Sequence, residues 1–183
     1  MPSTIITTIS ISVVSRLDRS GTGNHSRPYT SCVSSETKPT ALLREMTTHS
    51  AEETVAFGRS LMELLVPPKL VLLRGDLGAG KTTLVKGIAA VFEAASEEDV
   101  TSPTFTLIHE YRGPLVNLFH IDLYRIDTQR ELDTLALDDL RGEDSILLIE
   151  WGEKFPRFAR EWDLEIVLER KSENERKITL TGR

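Results

Sequence analysis

Short apolar runs alternate with helical periodicity in the central part of the chain. The run Lys69–Arg74 is short and mostly apolar, which is typical of a buried strand. After it, Leu84, Ile88 and Phe92 recur every fourth residue, which places them on one face of a helix. A second short apolar run, Ser145–Glu150, predicts another buried strand. The central pattern therefore predicts strands that alternate with helices.

The flanking segments extend this alternation. Ser50–Glu53 has the form of a capping box that opens a helix, and Pro67-Pro68 ends the helix. Phe57 belongs to the apolar face of this helix, which also includes three leucines. Residues 112–114 form a turn signal between two predicted strands. The later predicted elements are strands at 106–111 and 115–123, a broken helix at 129–140, and a closing antiparallel pair at 164–169 and 177–181.

The loop after Lys69–Arg74 carries phosphate-binding chemistry. Residues 75–82 match Gly-x-x-x-x-Gly-Lys-Ser/Thr, the P-loop pattern, between a predicted strand and a predicted helix. Gly75, Gly78 and Gly80 allow positive φ and leave room for a phosphate to approach the backbone amides. The pattern predicts a three-layer α/β fold of the P-loop NTPase type, with a small, mixed, mainly parallel sheet.

Two polar side chains follow the glycines. Lys81 is expected to reach the β- and γ-phosphates as a mobile charge, and the Thr82 hydroxyl is the usual Mg²⁺ ligand of a P-loop. The start of the helix adds unpaired amides and the positive end of its dipole. The predicted nucleotide-binding residues are Gly75, Asp76, Leu77, Gly78, Ala79, Gly80, Lys81, Thr82 and Thr83.

Acidic residues follow two other predicted strands. Asp122 comes near the end of one strand, and Glu150 ends another, which is the Walker B arrangement of an acid at the rim of a buried strand. Nucleotide hydrolysis requires held Mg²⁺ and an oriented water, so we predict that Asp122, Glu150 and Lys81 are catalytic.

Further candidates lie close to these acids in the sequence. The segment comprising Thr101, Ser102, Pro103 and Thr104 is either a switch-like loop that senses the γ-phosphate or an ordinary loop. His120 shares a strand face with Asp122 and is either a structural or a functional residue. Trp151 is a candidate core, lid or partner contact.

Composition limits the classes of function. The 183 residues suffice for one domain, or one domain with a tail. A net charge of −6 excludes a basic field over the whole surface that would attract nucleic acid. It does not exclude RNA binding by a local cluster of basic residues. Cys32 is the only cysteine, so an internal disulfide and a cysteine zinc site are excluded. No apolar run is long enough to span a bilayer, which predicts no membrane association.

The first 45 residues differ from the remainder. They contain 16 Ser or Thr residues, and their net charge is +2. Three interpretations stay open: a disordered tail, an organelle transit peptide, or translation from a wrongly chosen start. Met46 is a plausible true start, so we predict an extension over 1–45 and a P-loop ATPase domain over 46–183. The expected compartment is the cytoplasm, with organellar import if the extension is real.

Four motifs together resemble the TsaE (YjeE-type) ATPase family. The P-loop is widespread, whereas the four in this order are specific, and the resemblance covers about residues 48–170. The motifs are Gly75–Thr83, Thr101–Leu107, His120–Arg125 and Ile149–Trp151.

The resemblance implies a set of roles for these residues. It implies ATP and Mg²⁺ as cofactors, metal-binding positions at Thr82 and Glu150, and a Walker B-like acid at Asp122. The segment Thr101–Thr104 matches a switch-like loop. The start of the first helix, including Thr54, would lie near the base of the bound nucleotide.

The same resemblance implies a function. Such a protein would be an accessory ATPase, weak alone, that acts with TsaD-like and TsaB-like proteins. The complex of these proteins would make threonylcarbamoyladenosine next to the tRNA anticodon, and ATP hydrolysis would reset the complex between turnovers. Contact with tRNA would be indirect, through the complex.

Two other classes use a P-loop on a chain of this size. A small-molecule kinase is the main alternative, although the arginines at 112, 125, 130 and 141 are scattered and form no obvious lid. A GTP-dependent switch normally carries Asn-Lys-x-Asp, and none of the three asparagines begins that motif.

Overall fold

The computed structural model describes residues 41–183, and the predictions made for residues 1–40 lie outside this range. Three α-helices are present among these residues: α1 (Ala51–Arg59), α2 (Lys81–Val91) and α3 (Gln129–Thr134). Short 3-10 helices occupy Met62–Leu64, Leu137–Leu140 and Gly152–Lys154. The strands are β1 (Ala41–Thr48), β2 (Lys69–Arg74), β3 (Ile108–Arg112), β4 (Asn117–Asp122), β5 (Ser145–Glu150), β6 (Leu164–Arg170) and β7 (Arg176–Gly182).

The strands form one mixed sheet in the order β1-β7-β6-β2-β5-β4-β3. Strand β2 pairs in parallel with β5 and β6, and β5 pairs in parallel with β4. The outer pairings, β1 with β7, β6 with β7 and β3 with β4, are antiparallel. Strands β1, β2, β4, β5 and β6 therefore run one way, and β3 and β7 run the other. The predicted mixed, mainly parallel sheet is confirmed.

The sheet has an apolar core on each face. Successive residues of a strand point to opposite faces, so Val71 and Leu73 enter one core whereas Leu70 and Leu72 enter the other. Helices α1 and α2 cover the first core. Helix α3 and residues of the chain after β5, such as Phe158, cover the second. The result is the predicted three-layer α/β arrangement, and it explains why β2 reads as a continuous apolar run.

Most predicted elements are present at or near their expected positions. Strands β2 and β5 have the predicted bounds, and β6 and β7 form the predicted closing antiparallel pair. The turn between β3 and β4 is also present, closed by a bond from the Gly113 amide to the Val116 carbonyl at 2.9 Å. Strong local signals, namely apolar runs and a Gly-Pro turn, underlie each of these predictions.

The first helix is shorter than predicted. Ser50 caps α1 as expected, but the Glu53 carboxylate accepts from the amide of His49 rather than that of Ser50. The helix ends at Arg59 instead of continuing to Pro67-Pro68, because Ser60 closes it and a 3-10 turn follows. The leucines of the predicted apolar face still reach the core from this irregular segment.

The broken helix predicted over 129–140 is two separate pieces. Thr128 and Glu131 form a reciprocal capping box at the start of α3. The amides of Asp127 and Thr128 both donate to the Glu131 carboxylate and lower its pKa. Ala136 adopts a left-handed conformation with φ of 47°, which separates α3 from the following 3-10 helix.

Strand β1 was not predicted, and it crosses the expected boundary at Met46. Its register places Ala41 opposite Gly182 and Thr48 opposite Arg176. All of its residues except the last are exposed, so β1 lacks the apolar alternation that identifies a strand. Its partner is the last strand of the chain, and sequence periodicity cannot detect that pairing. The division into an extension and a domain stays a prediction.

Helices α1 and α2 touch at two glycines. A Cβ added to Gly87 would lie 2.0 Å from the carbonyl oxygen of Val55, and a Cβ added to Gly58 would lie 2.4 Å from that of Leu84. Both obstructing atoms belong to the backbone and cannot rotate away. The glycines therefore set how closely α1 packs on the helix that follows the P-loop.

We expect Gly87→Ala to lower the free energy of unfolding by about 2 kcal/mol. Overpacking costs up to about 3 kcal/mol, and the helical preference of Ala over Gly offsets about 1 kcal/mol. Urea denaturation followed by circular dichroism measures the change. Gly142→Ala is the matched control, because its added Cβ would meet only side-chain atoms of Asp144 and Ser145. Equal stability of the two variants would contradict the close-packing interpretation.

Candidate nucleotide-binding site

The segment between β2 and α2 is the glycine-rich loop that was predicted to cradle phosphate. Gly75, Gly78 and Gly80 have φ values of 145°, 77° and 104°, a region that favours glycine. A Cβ at Gly75 would lie 2.4 Å from the carbonyl oxygen of Leu168 in β6, whereas one at Gly78 would meet no atom within 4 Å. The loop is therefore packed against the sheet on one side and open on the other, as phosphate binding requires.

Lys81 lies at the first turn of α2, buried inside this loop. Its Nζ donates to the carbonyl oxygens of Gly75 and Asp76 at 2.7 and 3.1 Å. The ammonium also lies 3.4 Å from Glu150 Oε2 and 5.0 Å from the centre of the Trp151 ring. A single cation thus links the P-loop to the end of β5.

Asp122 and Glu150 are direct neighbours in the parallel pairing of β4 with β5. Both carboxylates are buried, and both follow apolar stretches of their strands. Because parallel strands present their carboxyl ends at one edge of the sheet, the two acids meet beside the P-loop. The structure therefore brings together Lys81, Asp122 and Glu150, which were predicted from separate motifs.

The loop at 101–104 is tied to the first of these acids. The Thr104 hydroxyl donates to Asp122 Oδ2 at 2.5 Å, and Thr104 in turn contacts the Ser102 hydroxyl at 2.8 Å. The other oxygen, Oδ1, accepts from the Tyr124 amide at 2.9 Å. These contacts give the predicted switch-like loop a direct hydrogen bond to a strand-end carboxylate.

A cleft of about 260 Å³ lies over these groups. Its lining contains most of the predicted site residues and two residues that were not assigned to the site, Tyr124 and Arg176. Tyr124 lies two residues after Asp122, so the motif contained a signal for it. Arg176 begins β7, far from the P-loop in sequence, and no local pattern marks it. The lining residues are Leu77, Gly78, Gly80, Lys81, Thr82, Thr83, Ser102, Thr104, Asp122, Tyr124, Glu150, Trp151 and Arg176.

Other predicted residues lie outside this lining. Thr54 is buried at the start of α1, where its hydroxyl donates to the Ser50 carbonyl at 3.0 Å and contacts the Thr48 hydroxyl at 2.9 Å. The position of Thr54 near the base of the bound nucleotide stays a prediction. Pro103 is buried, and its carbonyl accepts from the Leu107 amide at 2.6 Å. His120 is fully buried behind Glu150.

The donor set of the cleft fits a hard cation. Thr82, Asp122 and Glu150 present oxygen atoms, which Mg²⁺ prefers. No cluster of three or more His, Cys, Asp or Glu residues that could hold a metal exists within residues 41–183. This composition suits a Mg²⁺ ion that takes one or two protein ligands and the rest from phosphates and water.

The strand, the glycine loop, the helix and the lysine define the class of this chain, which is a P-loop nucleotide-binding protein. The crystal structure of YdiB from Bacillus subtilis shares the fold. It superposes with a TM-score of 0.60 at 32% identity, over 79% of this chain and 87% of that chain. The predicted fold class is confirmed.

The family follows from the sequence comparisons. The family model described as "Threonylcarbamoyl adenosine biosynthesis protein TsaE" matches residues 48–178, and the chain belongs to the TsaE family. The tRNA threonylcarbamoyladenosine biosynthesis protein TsaE of Bacillus subtilis is 37% identical over 135 residues, 74% of this chain and 83% of its own length. That of Aquifex aeolicus is 37% identical over 139 residues, with 76% and 96% covered.

The resemblance seen in the four motifs is therefore confirmed at the level of the family. The TsaE protein of Mycobacterium tuberculosis H37Rv is 40% identical over 137 residues, 69% of this chain and 79% of its own length.

None of the helices among residues 41–183 is both long enough and apolar enough to cross a bilayer.

We expect Lys81→Ala to weaken nucleotide binding by about 10- to 100-fold, because charge-assisted bonds to phosphate contribute about 1.5–3 kcal/mol. Equilibrium binding of a fluorescent nucleotide to the folded variant measures the loss. Lys86→Ala is the matched control, since Lys86 lies on the same helix outside the cleft lining. Near-normal affinity of Lys81→Ala would refute the assignment of the cradle.

Proposed function

We propose that this protein is a Mg²⁺-dependent ATPase. Its role is that of an accessory subunit in the formation of threonylcarbamoyladenosine next to the tRNA anticodon. One observation carries the proposal. In this TsaE-family chain, Lys81 of the P-loop lies 3.4 Å from Glu150 at the end of β5, and Asp122 is opposite Glu150 in the parallel register of β4 with β5. A cradle for phosphate and two carboxylates at its edge suit hydrolysis better than binding alone.

The P-loop holds the nucleotide in this proposal. The loop amides that are not bonded within the loop, unlike that of Ala79, would face the phosphates together with the start of α2, and the Lys81 ammonium would leave the loop carbonyls to contact them. Thr82 and Glu150 would hold Mg²⁺, which would neutralise charge on the phosphate oxygens. The Arg176 guanidinium, which lies 3.5 Å from a Cβ placed on Gly80, adds positive charge at the loop.

The two acids have different surroundings and, in our proposal, different tasks. Asp122 is held by the Thr104 hydroxyl and the Tyr124 amide, so its orientation depends on the loop at 101–104. In this proposal Asp122 would orient the attacking water. Glu150 would be a metal ligand, and the Trp151 ring lies 5.0 Å from the Lys81 ammonium that contacts Glu150.

The proposed partners are TsaD-like and TsaB-like proteins, with tRNA contacted through the complex. The names of the family and of its relatives support a role in tRNA threonylcarbamoyladenosine biosynthesis, and the partners are proposed within that role. A net charge of −6 agrees with indirect rather than direct contact with RNA. Leu77 in the P-loop and Phe105 beside Thr104 are 77% and 85% exposed, so both side chains are available for a protein contact.

We expect the protein to sustain repeated modification of tRNA in a reconstituted system. The assay combines TsaB, TsaD, tRNA and threonylcarbamoyl adenylate with this protein, and it counts modified tRNAs per enzyme with and without ATP. Several turnovers with ATP and about one without it support the accessory role, because hydrolysis resets the complex. Phosphorylation of a small metabolite without any effect on tRNA would instead support a kinase.

We expect Glu150→Gln to reduce Mg²⁺-dependent ATP hydrolysis by about 100-fold, or about 3 kcal/mol, with a smaller loss of ATP binding. The amide removes the charge of a metal ligand but keeps its shape. Phosphate release at limiting Mg²⁺ measures the effect. Glu153→Gln, an exposed acid three residues later, is the matched control. Unchanged hydrolysis by Glu150→Gln would contradict its role.

A further inference from the structure

His120 is a buried polar residue for which the proposed function has no task. Its side chain is completely buried in β4, and Nε2 lies 2.8 Å from Glu150 Oε1. The other ring nitrogen, Nδ1, has no hydrogen-bond partner among residues 41–183. The ring is therefore oriented by one polar contact, and that contact is with the proposed metal ligand.

The chemistry of this contact fixes its direction. An ionised carboxylate only accepts, so Nε2 donates its N–H to Glu150 Oε1, and in a neutral imidazole Nδ1 then carries the lone pair. An unpaired buried acceptor destabilises the fold, and an apolar residue at this position would avoid that cost. A role in apolar packing alone would be met as well by leucine, the residue at position 118 on the same face of β4, but leucine would leave Glu150 Oε1 without this hydrogen-bond donor.

Glu150 is held at both of its oxygens by different groups. Oε1 accepts from His120, whereas Oε2 lies 3.4 Å from Lys81 Nζ. In the proposed function Lys81 turns to the phosphates, and Oε2 then loses this partner. The terminal torsion of a glutamate is broad, so a carboxylate held at neither oxygen would sample many orientations.

We propose that His120 is a positioning residue: it holds Glu150 Oε1 so that Oε2 stays directed at the P-loop when Lys81 engages the nucleotide. This inference rests on the proposed function. Partners of metal-binding carboxylates commonly have this task, and their removal costs about 10- to 100-fold in metal affinity or activity.

Two amide variants separate this role from a structural one. In His120→Gln the amide nitrogen is as many bonds from Cβ as Nε2 is, so it can still donate to Glu150. In His120→Asn the nitrogen matches Nδ1 instead and falls short. Both variants bury an amide of similar polarity, so a loss that depends only on the polarity of the buried group affects them alike.

Four quantities are measured for each variant: kcat for ATP, KM for ATP, the Mg²⁺ concentration that gives half of the maximal nucleotide affinity, and Tm. We expect His120→Asn to lower kcat and to raise the required Mg²⁺, each by about tenfold or more. Nucleotide affinity without Mg²⁺ should stay within about threefold, and His120→Gln should recover most of the loss. Equal behaviour of the two variants, or losses that follow Tm alone, would overturn the inference.

The wild type provides a measurement that needs no stable His120 variant. In ¹⁵N-histidine NMR spectra we expect His120 to show a protonated Nε2 and an unprotonated Nδ1. Glu150→Gln should shift the Nε2 resonance, because a charge-assisted bond becomes a neutral one. An unshifted Nε2 would overturn the inference.

The proposed function fails separately from this inference. A folded wild type that neither binds nor hydrolyses ATP, alone or with TsaB and TsaD, overturns both. A wild type that hydrolyses ATP while the Gln and Asn variants behave alike overturns only the positioning role of His120.

Discussion

The site depends on one buried ion pair between the P-loop and the sheet. The Lys81 and Glu150 side chains are each 5% exposed and lie 3.4 Å apart. Burial of two charges is unfavourable unless each has its partner and further hydrogen bonds. The carbonyls of Gly75 and Asp76 share the lysine, and His120 shares the glutamate. The pair therefore joins β2, α2, β4 and β5 at a single point.

The parallel register of the sheet creates the rest of the site. Asp122 is adjacent to Glu150 because β4 and β5 run side by side in the same direction and end together. Through Thr104, Asp122 is bonded to a loop that carries the exposed side chain of Phe105. A change at Asp122 thus has a short hydrogen-bonded route to the surface, which is the contact that the predicted switch-like role of the loop would use.

Local signals were sufficient for the central elements of the fold. Strands β2 and β5 are buried on both faces, so their apolar runs identify them without knowledge of their neighbours. The end of α1 was predicted too late in the sequence, and β1 was not predicted. The helix ends at Arg59 through a backbone turn at Ser60, although apolar residues continue beyond it. Strand β1 is held by pairing with β7 and carries no apolar alternation of its own.

The sequence by itself determined the chemistry of this protein: a glycine loop, a lysine, and acids at the ends of buried strands. These features are local, because a P-loop and a strand end are each encoded within a few consecutive residues. Only the tertiary structure decided which groups meet. It placed Arg176 at the P-loop, gave Glu150 both Lys81 and His120 as partners, and put Thr54 outside the cleft lining. Such contacts join residues far apart in the chain through sheet register, which single-sequence periodicity does not encode.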